Sequence, residues 1–418
     1  MNIAVIGSGI SGLGAAWLLD KKHDVTLYEA AGYLGGHSNT VDVQLEGITY
    51  PVDTGFLVHN ELTYPNLIQL LEYLGVESHE TEMSFSVNLP DSGTEWAGTD
   101  IFTVFAQTRN LLSLRFWRML RDIQSFNNRA EAMLSWSENN GASLQALLDH
   151  HRYSNVFRDW YLLPMAAAIW SSAPSDILKF PATTFLRFCL NHHLLQIEGR
   201  PVWRSILGGA RTYVEKMAKK LQVRMNHPVD QVMRNRGGVT VGSMGSVETY
   251  DAVVFATHAP DTLTMLGDPS EQEYKLLNAI SYQPNRAVLH TDRRFLPNRE
   301  LIWSAWNYLA TGEQSRLVCV TYLLNKLQRL PFKSPVMVTL NPPENMEPEG
   351  IIREFDYAHP VFDQAAIEAQ QQLTSIQGVN RTWFCGAWCG YGFHEDGLKS
   401  ALRILPDFEV EAPWPVVL

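Results

Sequence analysis

Three glycines, Gly7, Gly9 and Gly12, stand in the order G-x-G-x-x-G near the start of a chain of 418 residues, and an acid, Glu29, follows them. This set binds rather than reacts. Gly7 permits a tight turn, Gly9 lets backbone approach a pyrophosphate, and Gly12 lets a helix pack closely on a strand. Ile10 and Ser11 complete the loop, and the free N–H groups and positive dipole of a following helix would meet the phosphates. Glu29 would accept hydrogen bonds from a ribose. An acid there also speaks against a 2′-phosphate, so the expected ligand is a dinucleotide other than NADP.

The flanking residues supply the elements that this chemistry needs. Ile3 to Ile6 is a short apolar run, as expected of a parallel strand buried on both faces. Leu13 to Leu19 reads as an apolar helix, and Asp24 to Tyr28 as a second strand that delivers Glu29. Strand, glycine loop, helix, strand and acid in this order make a Rossmann-type βαβ unit, and that context gives an otherwise weak motif its specificity.

Further blocks follow the acid. Gly32-Tyr33-Leu34-Gly35-Gly36-His37 adds a glycine pair, and Tyr50 to Gly55 reads as a strand with an Asp-x-Gly turn. Leu207-Gly208-Gly209-Ala210 precedes a helix to Leu221, Val223 to Val229 reads as a strand, and Asp251 to Thr257 as another. Near the C-terminus, Trp383 to Ala387 and Gly390 to Leu398 pair a strand ending in glycine with the start of a helix. In these blocks the chain resembles the flavin-containing amine oxidase and phytoene desaturase superfamily. Over nearly its whole length it is similar to a bacterial subgroup of FAD-dependent oxidoreductases. Val52 to Phe56 with Asn60, Ala167 to Ser171, Asn191-His192, Arg200 to Trp203 and Gly392 to Gly397 carry that closer likeness.

The resemblance implies an α/β fold: a Rossmann-type FAD-binding domain with an inserted α+β substrate domain, amine oxidase-like. It implies FAD, held non-covalently because no cysteine stands where the family forms its link. Its cofactor contacts map onto Gly7, Gly9, Ile10, Ser11, Gly12, Glu29, Ala30, Gly35, Gly36, His37, Val229, Thr257, Gly386, Ala387, Glu395, Asp396, Gly397 and Leu398. Val229 would touch adenine, and the helix at Glu395 would aim its N-terminus at the flavin, stabilising charge on the reduced ring. His37 departs from the family's Arg or Lys, and Ala387 from its acid. The subgroup's association with lipid metabolism implies oxidation or desaturation of a hydrophobic small molecule, a fatty-acyl lipid being one such substrate. A flavin amine oxidase and a flavin-dependent isomerase are the alternatives.

These blocks divide the chain into a discontinuous FAD-binding domain, 1–80, 205–268 and 376–418, and a substrate domain, 81–204 and 269–375. Within the latter, apolar spacing predicts helices over Ile101 to Arg129 and Ser143 to Trp170. Ala287 to Val320 reads as strands punctuated by Pro297 and Gly312. Asp363 is the predicted N-cap of a helix through Gln372.

Flavin chemistry needs a shaped pocket and at most an acid or base. His394, in Phe393-His394-Glu395-Asp396, is the first candidate, as a base or donor with a pKa near working pH; the alternative is a brace for its loop. His192 is the second, because adjacent helical histidines point about 100° apart and His193 cannot share its ligand. His59, His258 and His359 read as satisfied structural histidines. Trp388 and Tyr391 are the aromatic pair that an amine site would use.

Composition narrows the partners. A formal charge of −11 argues against nucleic acid, since phosphate binding is built on clustered Lys and Arg. The four cysteines read as buried thiols, with neither a disulfide framework nor a metal site expected. A run of about 18 apolar residues, which a spanning helix would need, is not found. The expected setting is cytoplasmic, with a peripheral inner-membrane contact through residues 101–121, where Arg109, Arg115, Arg118 and Arg121 lie among Phe102, Phe105, Phe116 and Trp117. The alternative is an ordinary helix whose arginines pair with acids.

Overall fold

The computed structural model describes residues 1–196, 199–310 and 318–418. The chain opens with strand β1 (Asn2–Ile6), helix α1 (Ile10–Leu19) and strand β2 (Asp24–Tyr28). Helices α2 (Pro65–Leu74), α3 (Leu114–Asn140), α4 (Ala182–Asn191) and α5 (Arg211–Ala218) follow. Strands β3 (Gln222–Arg224), β4 (Ala252–Phe255) and β5 (Thr382–Phe384) come next, and α6 (His394–Ile404) lies near the C-terminus.

The five labelled strands form one parallel sheet in the order β3-β2-β1-β4-β5. Alternation along β1 sends Ile3 and Val5 to one core, with α1 and α6, and Ala4 and Ile6 to another, with Val253, Phe255 and Phe384. Burial on both faces explains why the strand reads as an unbroken apolar run. A separate seven-stranded sheet runs Ile351–Pro360, Tyr282–His290, Met337–Leu340, Cys319–Leu323, Trp306–Leu309, Phe85–Leu89 and Thr94–Ala97. Its neighbours are antiparallel except where Trp306–Leu309 pairs parallel with Phe85–Leu89.

Several predicted elements are divided by local hydrogen bonding. The helix expected over Ile101 to Arg129 is three pieces: Ile101–Val104, a 3-10 turn at Thr108–Leu112, and α3. Asp100 and Thr103 form a capping box at the first, and Ser113 accepts from Phe116 N at the last, so each piece has its own start. The stretch from Ser143 to Trp170 likewise splits at Ser154, which caps Asn155–Phe157, and passes through a π-turn at Arg158–Leu162. Pro164, without an N–H, sits just beyond that turn. The strand expected over Val223 to Val229 ends at Arg224, because Asn226 turns left-handed (φ 56°), and a new antiparallel strand begins at Val229. Pro297 falls between the strands Tyr282–His290 and Trp306–Leu309, while Gly312 lies outside the described residues. Asp363 accepts from Ala366 N at 2.9 Å and caps Gln364–Gln372 as expected.

Candidate functional site

The glycine loop sits between β1 and α1, at the C-terminal edge of the parallel sheet. A Cβ on Gly12 would lie 1.8 Å from the Gly7 carbonyl oxygen, so only glycine lets α1 rise directly from the loop. The second glycine pair docks on this turn: Gly35 bridges to Gly9 and donates to Ser8 O at 3.1 Å. Gly36 takes φ 57°, with Gly9 Cα 3.2 Å from the position its Cβ would occupy. Glu29 accepts from Ser8 N at 3.0 Å and Ser8 Oγ at 2.5 Å, and its other oxygen from Ala31 N at 2.8 Å. The acid thus braces the loop as well as standing at the end of β2.

From the far end of the chain, Gly397 reaches Ile10 and Ser11, and Leu398 packs on Gly14. Ala387 lies beside Gly397, and Thr257 beside Gly7. The Val229 segment is drawn toward Glu29, since His227 N donates to Glu29 O at 2.9 Å and Asn226 N to Ala31 O at 3.1 Å. Ala30 is exposed at the same edge. The predicted cofactor positions are therefore gathered from four separated stretches of the chain.

A dinucleotide fits this loop on two observations. Helix α1 is buried at its start, yet Gly9 gives it no side-chain cap and its first turn holds no acid. A buried helix end without a protein partner for its N–H groups is suited to a bound anion. The space beside Gly9 is also open, with no heavy atom within 4 Å of where a Cβ would stand.

Glu395 and Asp396 engage their carboxylates within the protein. The Glu395 carboxylate caps α2, accepting from Asn66 N and Leu67 N at 3.0 Å each and from Asn66 Nδ2 at 2.6 Å. Burial raises its pKa. Asp396 accepts from Phe393 N at 3.0 Å, and burial pushes its pKa up to about 6. Both carboxylates are thus engaged at helix starts.

His394, at the first position of α6, stacks on Phe56 with centroids 3.8 Å apart and planes 10° from parallel. Its Nε2 lies 2.7 Å from Tyr213 Oη, which is also hydrogen-bonded to Ser38. Burial, reinforced by His59, lowers its pKa to about 3. The expectation of a base titrating near neutrality is therefore replaced by a neutral imidazole in a hydrogen-bonded chain, able to position a partner but poorly able to hold a proton. His192 caps the end of α4, stacks on Phe188 at 3.9 Å and lies 5.7 Å from Phe393. Burial brings its pKa to about 4. The two candidates flank one aromatic array through Phe393.

Three features were not anticipated. His37 is half-buried, stacks on Tyr357 at 4.8 Å and lies 5.2 Å from His359. Its Nε2 has no hydrogen-bond partner among the described residues. His59 is fully buried and, among the described residues, unpaired at both nitrogens, against its reading as a satisfied structural histidine. Tyr213, which holds His394, is the third. Of the others, His359 does accept a conventional role, 2.9 Å from Asn285 Nδ2, and His258 lies 3.2 Å from Asp261. Trp388 does not form a cage with Tyr391: its indole donates to Thr257 O at 3.2 Å and packs in the core beside the sheet.

A profile for flavin-containing amine oxidoreductases matches residues 10–340. The chain belongs to that family. Its cofactor is FAD. Among relatives, polyamine oxidase 2 of Arabidopsis thaliana is 24% identical over 314 residues, covering 72% of this chain and 61% of that protein. Polyamine oxidase 3 of Oryza sativa subsp. japonica is 24% identical over 313 residues, covering 71% and 61%. The chain thus spans about three fifths of the length of the curated relatives it matches. Among solved structures, putrescine oxidase bound to putrescine superposes with a TM-score of 0.70 at 15% identity, covering 98% of this chain and 99% of that one. A fatty acid isomerase from P. acnes gives 0.69 at 15% identity, over 97% and 98%. At these identities the likeness shows the fold.

Within this family member, every buried carboxylate among the described residues is already engaged. Asp53 accepts from Ala210 N and Thr40 Oγ1, Glu95 from Asn298 N and Arg299, and Asp122 from Ser154. Glu273 pairs with Arg234, and Glu395 caps α2. The environment of His394 is instead aromatic, with Phe56 stacked on it and Tyr213 edge-on.

Proposed function

We propose that this chain is an FAD-dependent oxidoreductase that oxidises or desaturates an uncharged, hydrophobic small molecule, a fatty-acyl lipid being the leading class. The observation that carries this reading is that each buried carboxylate among the described residues is already hydrogen-bonded or ion-paired within the protein. Binding a di- or polycation away from water requires compensating charge, whereas an apolar chain needs only aromatic and aliphatic walls.

In this reading, residues 1–80, 205–268 and 376–418 hold the cofactor, non-covalently, and residues 81–204 and 269–375 shape the substrate side. Bound FAD supplies the hydride acceptor. The protein's part is positioning: His394, held neutral by burial and fixed by Tyr213 and Phe56, orients what lies against it, and the aromatic array reaching His192 excludes water. The setting is cytoplasmic, with a peripheral inner-membrane contact through residues 101–121 as the place where an acyl chain would be met.

A flavin amine oxidase is the second reading, favoured by the names of the matching relatives. Anaerobic mixing with amines, fatty-acyl lipids and carotenoid precursors separates the two. Loss of flavin absorbance with an apolar class supports the proposal. Reduction by amines alone, with peroxide release in air, would replace it. Turnover that needs reduced flavin yet leaves it reduced would select an isomerase.

A further inference from the structure

The substrate side carries a surface that folding leaves apolar. Ile101 and Phe102 begin the first short helix, Leu111 and Leu112 end the 3-10 turn, and Leu114 and Trp117 begin α3. All six side chains are exposed, Phe102 by 75%, Leu112 by 89% and Leu114 by 86%. Single exposed leucines are ordinary, but a run of this kind marks an interaction site.

The exposure is built rather than incidental. The opposite sides of the same elements bury Val104, Phe105, Phe116 and Met119 against Val87, Leu89 and Trp96. Gln107 ties the loop down, accepting from Glu95 N at 3.1 Å and donating to Gly93 O at 3.0 Å. Trp117 Nε1 donates to Leu111 O at 2.9 Å, and Phe105 packs on the Trp117 ring at 5.2 Å. The apolar tips are thus held outward by a packed and hydrogen-bonded frame.

Charge completes the pattern. Between Asp100 and Asp122 the chain has no acid and four arginines, in a protein whose formal charge is −11. Arg109, Arg115 and Arg118 make no salt bridge among the described residues, and Arg121 reaches only Asp122, at 3.6 Å. On α3, Leu114, Trp117, Arg118 and Arg121 share one face by their i, i+3, i+4 and i+7 spacing. At 1.5 Å per residue, Arg121 stands about 10 Å behind Leu114 along the axis. Leu114 leads, with Arg115 beside it and Arg118 and Arg121 one and two turns behind, a pattern that suits a bilayer interface, where apolar side chains enter the acyl boundary and arginines meet headgroups.

We propose that residues 101–121 form a docking surface for an anionic lipid bilayer, inserted through Phe102, Leu112 and Leu114 and anchored by Arg115 and Arg118. This takes up the membrane contact in the reading above and leaves its chemistry aside. An acidic protein partner would satisfy the arginines but gives no use for so many exposed apolar side chains beside them.

FAD-loaded protein, without substrate, is co-sedimented with vesicles of phosphatidylglycerol and phosphatidylethanolamine and with vesicles of phosphatidylcholine. The expected result is binding to the first that weakens with salt, and little binding to the second. Arg115→Glu with Arg118→Glu should weaken anionic binding by about tenfold or more. Leu112→Ser with Leu114→Ser should weaken it at high salt as well as low. Both pairs are exposed, and an unchanged melting temperature and flavin content verify the fold. Wild-type protein that ignores anionic vesicles, or variants that bind as well as wild type, would overturn the proposal. A change in sedimentation coefficient between wild type and the leucine variant, without vesicle binding, would reassign the face to protein contact. Flavin reduction by apolar substrates in detergent is read separately, so that reading and this surface can fail independently.

Discussion

The glycine loop and the histidine-lined region beyond Gly36 lie on either side of one turn of chain, and they meet buried polarity in opposite ways. Around α1 the polar groups are backbone N–H groups, Ser8 and Glu29, organised within the first 36 residues and held by short local bonds. Beyond it lie His37, with a buried Nε2, and His59, buried as a whole, whose ring nitrogens are unpaired among the described residues, and His394, held neutral. Backbone prepared for a fixed anion is cheap to build, because the helix end must be left open somewhere. Unpaired buried imidazoles cost about 1–3 kcal/mol each. A fold keeps them where function asks for polarity without charge.

The largest effect should come from breaking the first region. Gly12→Val places side-chain carbon where the Gly7 carbonyl already lies, so loop and helix must separate and the pyrophosphate seat is lost. The expected outcome is protein purified with less than about a tenth of the flavin absorbance of wild type, a loss of more than about 1.4 kcal/mol in affinity. A purified variant that retains its flavin fully would show that the loop does not hold the cofactor.

Acid should expose the second region. His59, His192, His290 and His359 have pKa values lowered to about 4, and His394 to about 3, chiefly by burial. Each is depressed on folding, so its stabilising contribution is full above about pH 6.5 and is lost as pH falls toward the folded value. A fully buried histidine contributes at most about 1.4 kcal/mol for every tenfold loss of proton affinity that folding imposes on it. Asp53 and Asp396, raised to about 6, act with the opposite sign: their contribution is full near pH 4 and declines as pH rises through 6. The histidines outnumber them, so denaturation midpoints should fall steeply between about pH 6.5 and 4. Midpoints that stay level over that interval would mean the histidines are solvated and the contrast between the regions is false.

The contrast also explains what could be read from residues alone. Gly7 to Gly12 with Glu29 carries its meaning in spacing, because the contacts it makes are local and mostly backbone; the parallel strands carry theirs in continuous apolar runs. His59 carries nothing comparable. Its burial comes from Phe56, Tyr64 and a strand pairing with Arg204, far away in sequence. Tyr213 is likewise an ordinary helical tyrosine until the fold sets it on His394. The partner of Glu395 was hidden for a related reason: an acid in the first turn of α6 is legible as such, but α2, from residue 65, which its carboxylate caps, is far away in sequence. The segment from Ile101 to Arg121 read as one amphipathic helix because its apolar spacing is helical. Its caps at Asp100 and Ser113 are legible in hindsight, as Asp-x-x-Thr and Ser followed by a helical run.

The smallest effect sharpens the comparison most. His59 stands between Phe56 and Tyr64 with both nitrogens unpaired, so His59→Phe keeps the planar ring and removes two unsatisfied polar atoms. If the imidazole is only a burden, the variant gains about 1 kcal/mol, less than the full desolvation penalty because a six-membered ring is larger and must be accommodated. Its melting temperature should then rise by about 1 °C with flavin content unchanged. The acid transition should also begin at lower pH, since one of the depressed histidines is gone. A different result is equally informative. If the apoprotein gains stability while the flavin-loaded protein loses it, the unpaired nitrogens have a partner that the chain itself does not provide, and His59 joins His394 as a positioning residue of the site. A loss of stability in both forms would reject the premise that the imidazole is unsatisfied.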